Sequence, residues 1–380
     1  MKTAAYSWNN YELVSHPSSD ILTPTDVQLV LCFGARRILQ SNMPYEQLRD
    51  RFPAAEIILC STAGEIYHTN VLDNTLSITA IQFSHTSVQT QLVDSGDFSN
   101  SFDAGKALLE KFTLKGLRYV LVLSDGSKVN GSELVRGINE IVQHKILVTG
   151  GLAGDGSNFQ STLVGVNGNA QQGLIVAIGF YGDRLQVNHG SQGGWEMFGL
   201  EKEVTRSDNN LLFEIDNKNA LEIYKQYLGP EADSLPGSAL LFPLAITLPG
   251  ETKTIVRTIL SIDENLGSMT FAGDIPKGAK VRFMKANFDK LTNAASEAAA
   301  QAQPDNQPVP QLALLISCVG RKLILKSRIE EEVEAIDERF HHQTLLTGFY
   351  SYGEISPLIA GSKCQLHNQT MTITTFYEME

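Results

Sequence analysis

The residues best equipped for chemistry lie in one short run near the carboxyl end, Phe349-Tyr350-Ser351-Tyr352-Gly353-Glu354. It sets two phenols, a hydroxyl and a carboxylate beside a glycine. Such a set suits a small polar ligand: the acid would face an ammonium, and a tyrosine would offer its ring or its hydroxyl. Arg321 follows the glycine of Ser317-Cys318-Val319-Gly320. Its planar fork could hold a carboxylate or phosphate by two parallel hydrogen bonds, or pair with Glu354 as a structural ion pair. Cys318 has the type of a nucleophile, but no basic residue accompanies it in sequence. A small core thiol is the simpler reading. Ser61, Thr62 and Glu65 form a second set of the same kind, around Gly64.

These sets belong to a unit that recurs three times. Each copy reads as an apolar strand, a glycine turn, an amphipathic helix and a second strand stopping at glycine and an acid. The copies run from VLCFG to CSTAGE, from VLVLSDG to LAGD and from LLISCVG to FYSYGE. The two glycines are 30 residues apart in the first copy (64 minus 34), 28 in the second (154 minus 126) and 33 in the third (353 minus 320). A period-two segment follows each, TLSITAIQF, GLIVAIGFYG or QTMTITTFYE, which predicts a further strand. The reading is α/β: repeated β-α-β-β units, with mixed parallel and antiparallel sheets and helices on their faces. Ligands in such sheets sit beyond the carboxyl ends of the parallel strands, where the glycine-acid tips fall. The glycine-dense turn before Asp155 matches neither dinucleotide nor Walker spacing.

The segment between the second and third copies reads differently. It predicts strands, a helix capped by Asp216 or Asn217, a turn at Glu264-Asn265-Leu266-Gly267, and an alanine-rich helix ending in a Pro/Gln loop before the third copy. Two domains are expected, 1–215 and 216–380, the second holding the inserted strands and the third copy. The acid-rich run from Ile329 to Phe340 keeps Ile329, Val333, Ile336 and Phe340 at helical spacing, so its charges read as a solvated face. Trp195 reads as a packing residue.

Bulk properties narrow the function. The 380 residues carry a net charge of -12, which disfavours nucleic acid as a partner. No apolar stretch is long enough to span a bilayer, and no signal peptide is evident, so a cytoplasmic protein without membrane insertion is expected. The four cysteines form no CxxC pair.

Taken together, CSTAGEI, GGLAGDG, NALEIYKQYLG, SCVGR, GFYSYGEI and HNQTMTITTF, in that order, resemble the FIST family, with its N-terminal and C-terminal domains in sequence. The resemblance covers the chain from about residue 25. It implies a sensory, ligand-binding module of signal transduction and not an enzyme. Family members stand alone or are joined to histidine kinases, cyclic-di-nucleotide enzymes or chemoreceptors. With no output segment evident, a stand-alone sensor is expected that signals to such a partner, as in two-component signalling. The ligand would be a small polar metabolite, with amino acids the suggested class. It would sit at the strand ends or between the two halves and shift their relative placement. The candidate contacts are Cys318, Arg321, Tyr350, Ser351, Tyr352, Glu354 and Asn368, with Ser61, Thr62 and Glu65.

Two alternatives follow. Some family members are haem-based nitric-oxide sensors that regulate histidine kinases. None of the eight histidines, His144 among them, lies in CxxCH, and a single one suffices for b-type haem. His68 and His367 lie nearest the inferred pocket. The other alternative is an enzyme using Cys318 or the Tyr352/Glu354 pair.

Overall fold

The computed structural model describes residues 1–9, 12–16, 20–143, 145–235, 237–359 and 361–379; His144 lies outside them. Each copy of the unit builds one six-stranded sheet around a parallel pair. The pairs are Leu29–Gly34 with Glu56–Ser61, Leu117–Ser124 with Leu147–Leu152, and Leu312–Cys318 with Leu345–Ser351. The period-two segments Leu76–Gln82, Leu174–Tyr181 and Met371–Glu378 lie antiparallel to the first strand of each pair.

Those first strands read as unbroken apolar runs because both of their faces are buried. One face of each enters a shared core: Leu31 and Phe33, Leu121 and Leu123, Leu314 and Ile316. The alternate residues pack outward under helices: Val30 and Cys32, Val120 and Val122, Ala313 and Leu315. The three sheets thus form a drum with a common apolar interior and local cores on its flanks.

The short strand that follows each tip joins another copy's sheet before the chain returns to its own. Glu65–Tyr67 of the first copy joins the sheet of the third. Val164–Val166 of the second joins the first, and Gly353–Pro357 of the third joins the second. The exchange is cyclic, so the drum has an internal threefold pattern.

The segment 196–285 makes a separate antiparallel sheet, the insert, with its own core of Val204, Tyr224, Phe271 and Phe283. The expected boundary near residue 215 falls inside it, between the paired strands Leu211–Ile215 and Lys218–Asn219. Its helix, Ala220–Leu228, is capped by Asn219, whose side chain accepts from Glu222 N. Asp216 and Asn217, the expected caps, instead take positive φ in the preceding turn, a conformation Asn and Asp tolerate. The alanine-rich helix spans Phe288–Ala302 as its pattern predicts. Among the described residues no helix is long and apolar enough to cross a membrane.

Candidate functional site

The three tips meet at one end of the drum and are tied into a ring by backbone hydrogen bonds. Ala63 N donates to Tyr350 O at 2.8 Å, Tyr352 N to Leu152 O at 3.1 Å, and Gly154 N to Ser61 O at 2.9 Å. Each bond joins a different pair of copies, as the strand exchange requires. Ser61 reinforces the ring, its hydroxyl donating to Gly154 O at 2.8 Å.

The acids of the tips fasten loops. Glu65 accepts from Thr62 Oγ1 at 2.6 Å and Thr75 N at 3.3 Å. Glu354 repeats the pattern, accepting from Ser351 Oγ at 2.6 Å and from Thr370 N and Oγ1 at 3.1 and 2.9 Å. Burial pushes both carboxyls up to about 7 against these bonds. Asp155 accepts from Tyr352 Oη and from the N–H groups of Gln160 and Ser161.

Arg321, expected as an open anion fork, is fully enclosed. Its Nε and Nη2 donate to one oxygen of Glu332 at 3.0 and 2.7 Å, and it also holds the carbonyls of Gly193 and Leu291. Tyr350 Oη and Ser317 Oγ satisfy the other Glu332 oxygen. The ion-pair partner is therefore Glu332 and not Glu354. The sequence did hold a signal for this. Glu332 is three residues after Ile329 and four before Ile336, so helical spacing puts it on the buried face. Reading the whole acid run as solvated overlooked that one position.

Cys318 is buried and burial pushes its thiol well above the usual range, the reverse of nucleophile activation. Ser351 and Glu354 are sealed with it. Asn368 is also buried, and neither polar atom of its side chain has a partner among the described residues. His367 is buried with Nε2 3.0 Å from Ser356 O, and burial lowers it to about 4. His68 is half-buried, its ring stacked on His16 at 4.5 Å.

Two cavities flank the ring, each of about 660 Å³. The first lies between drum and insert. Its walls are the turn from Gly126 to Gly131, the rings of Phe159 and Tyr352, and the insert's Asn210, Ile259, Ser261 and Thr270. Phe159 and Tyr352 stack at 4.6 Å, and Tyr352 Oη accepts from Phe159 N at 3.0 Å. Among the described residues no charged side chain lines this cavity. Just behind its wall lies Arg257, buried, donating to Leu366 O at 2.9 Å and within the field of the Asp274 carboxylate. It fits there because residue 273 is glycine; a Cβ would stand 2.8 Å from its Nε.

The second cavity gathers the turn at Ala35–Arg37, the first tip from Thr62 to Glu65, the loop from Asp155 to Asn158, and Val319, Lys322 and Lys326 of the third copy. Lys322 crosses it to donate to Ala63 O at 3.0 Å and to pair with Asp73. Gly64, at φ +142°, makes room for that crossing, since a Cβ there would meet Nζ at 2.3 Å.

Of the expected contacts, the second cavity thus collects Thr62 and Glu65, and the first collects Tyr352. Ser61 belongs to the ring. Cys318, Arg321, Tyr350, Ser351, Glu354 and Asn368 line neither cavity, and no histidine among the described residues lines either. Asn130, Phe159, Lys322 and Arg257 were missed; only the glycine density around Asp155 hinted at Phe159.

No curated protein matches the chain. Among solved structures, the cyanuric acid hydrolase of A. caulinodans aligns over 94% of this chain and 92% of its own, at 5% identity and a TM-score of 0.37. A second cyanuric acid hydrolase structure aligns over the same shares, at 8% identity and a TM-score of 0.32. Neither likeness is close enough to bear on chemistry. The FIST N domain model matches residues 28–218 and the FIST C domain model residues 220–357. FIST domains are associated with sensory signal transduction. With both of its domains matched in order across most of its length, the chain belongs to the FIST family.

Proposed function

We propose that this protein is a non-enzymatic sensor that binds a small, uncharged polar metabolite with a flat ring in the cavity between drum and insert, and signals to a separate protein. One observation carries the reading. That cavity is walled on one side by the tips' ring and on the other by the insert, which has a core of its own. The strand exchange argues against the two family halves sliding as bodies, because Glu65–Tyr67 and Gly353–Pro357 are each laddered into the other half's sheet. A ligand touching both drum and insert would bias the insert's seating instead, and a partner would read that surface.

The lining supports the ligand class. Stacked Phe159 and Tyr352 offer a ring face, and Asn130, Gln160, Asn210 and Thr270 offer edge partners. A free amino acid would leave both its charges unpaired among such groups, at a cost of several kcal/mol. Calorimetric titration with a panel of neutral heteroaromatic metabolites, with amino acids alongside, tests the proposal. A binder is expected whose signal disappears in Ser261→Trp, which fills the cavity from an exposed position. Retention of binding in that variant, or no neutral binder, refutes it.

A further inference from the structure

The second cavity has a charge balance that the protein leaves incomplete. Three acids face it, and each has partners within the fold. Glu65 is held by Thr62 and Thr75. Asp73 is paired with Lys322. Asp155 takes Tyr352 Oη and two backbone N–H groups. Four cations face it, and their partners run out. Lys322 is used by Asp73 and Ala63 O, and Arg36 spends one nitrogen on Ser161 Oγ at 2.8 Å. Arg37 and Lys326 have no side-chain partner among the described residues. A recess of about 660 Å³ with unspent cations is notable in a chain of net charge -12, whose field otherwise repels anions.

We infer that this cavity binds a small multivalent anion, a phosphate-bearing metabolite, bridged between Arg36 and Arg37 of the first copy and Lys326 of the third. A monocarboxylate can satisfy one wall; a phosphate group presents three oxygens and can engage both, with arginine supplying the forked contact and lysine the point charge. The occupant also touches the loop from Asp155 to Asn158, whose next two residues, Phe159 and Gln160, line the first cavity. Anion binding therefore orders the wall that the two cavities share.

Inorganic pyrophosphate is the probe, measured by calorimetry and thermal shift on the full chain against sodium chloride at matched ionic strength. Pyrophosphate is expected to bind and raise Tm above the chloride control, and to slow amide exchange over 155–160. The double variant Arg37→Glu/Lys326→Glu, both sites exposed, is expected to bind at least tenfold more weakly while keeping its own Tm. Ser261→Trp is expected to bind pyrophosphate unchanged, which separates this site from the first. A shift no larger than chloride gives, or equal binding by the double variant, overturns the inference; citrate binding as tightly as pyrophosphate overturns the phosphate assignment.

Discussion

The cavity under the insert and the cavity over the first tip have the same volume, about 660 Å³, yet among the described residues the first has no charged side chain in its lining and the second has seven. Both are built against the same ring of tips, and both touch the loop from Asp155 to Gln160. The difference comes from what closes the other side. An insert presenting Ile259, Ser261, Thr270 and Phe271 makes a wall of apolar and neutral polar groups. The turn after Gly34 and the helix Val319–Leu325 bring Arg36, Arg37 and Lys322. A repeated frame thus supplies position, and its unrepeated neighbours supply chemistry, as is general for sites carried on common folds.

The comparison sharpens most by perturbing what belongs to neither cavity. Arg321→Met leaves the Glu332 charge buried and unpaired, and is expected to cost about 3–5 kcal/mol in chemical denaturation. Pyrophosphate binding measured on the fraction that remains folded is expected to be unchanged, since Arg321 lines neither cavity. A silent substitution would mean that the arginine is open to ligand after all.

The next effect is specific to the charged cavity. Burial raises Glu65 to about 7 from a usual value of 4.5. A carboxyl raised in the folded state binds more protons there than in the unfolded chain. Its contribution is fully present below pH 4.5 and is lost as pH climbs through 7. Glu65→Gln mimics the protonated form and is expected to remove that loss, about 3 kcal/mol at pH 8. Denaturation of both proteins across pH 4 to 8 checks it; parallel profiles would place the carboxyl at an ordinary value.

A smaller effect should reach both cavities. Tyr352→Phe removes the hydroxyl that bonds the Asp155 carboxylate and the N–H groups of Asp155 and Phe159. About 2 kcal/mol of stability is expected to go, because hydrogen bonds to charged groups are the stronger kind. Exchange at 155–160 should quicken while the rest of the drum is unchanged. An effect spread evenly over the drum would show that the loop is not the shared wall.

Much of the frame is legible in the sequence. The parallel pairs and the strands beside them follow from apolar runs, period-two alternation and glycine spacing, all local signals. The candidate site was less legible. Thr62, Glu65 and Tyr352 reach a cavity lining, but Arg321 and Glu354 are sealed by partners that no short-range rule names: Glu332 is 11 residues away across a helix, and Thr370 is 16 residues on.

The amino-acid sequence alone determined that three β-α-β-β units would form and that their glycine-acid turns would fall at strand ends, because side-chain period and backbone freedom act within a few residues. Tertiary structure alone decided which sheet each short strand after a tip would join, and therefore which turns face one another. Glu65–Tyr67 and Val164–Val166 are three residues each, too short to carry a periodic signature. Their partners are set by which open sheet edge lies within reach once the common core has packed. The same packing chose which cations stay unspent and which arginine is enclosed, since a charge's role depends also on neighbours such as Gly193 for Arg321 and Ser161 for Arg36, each more than 100 residues away.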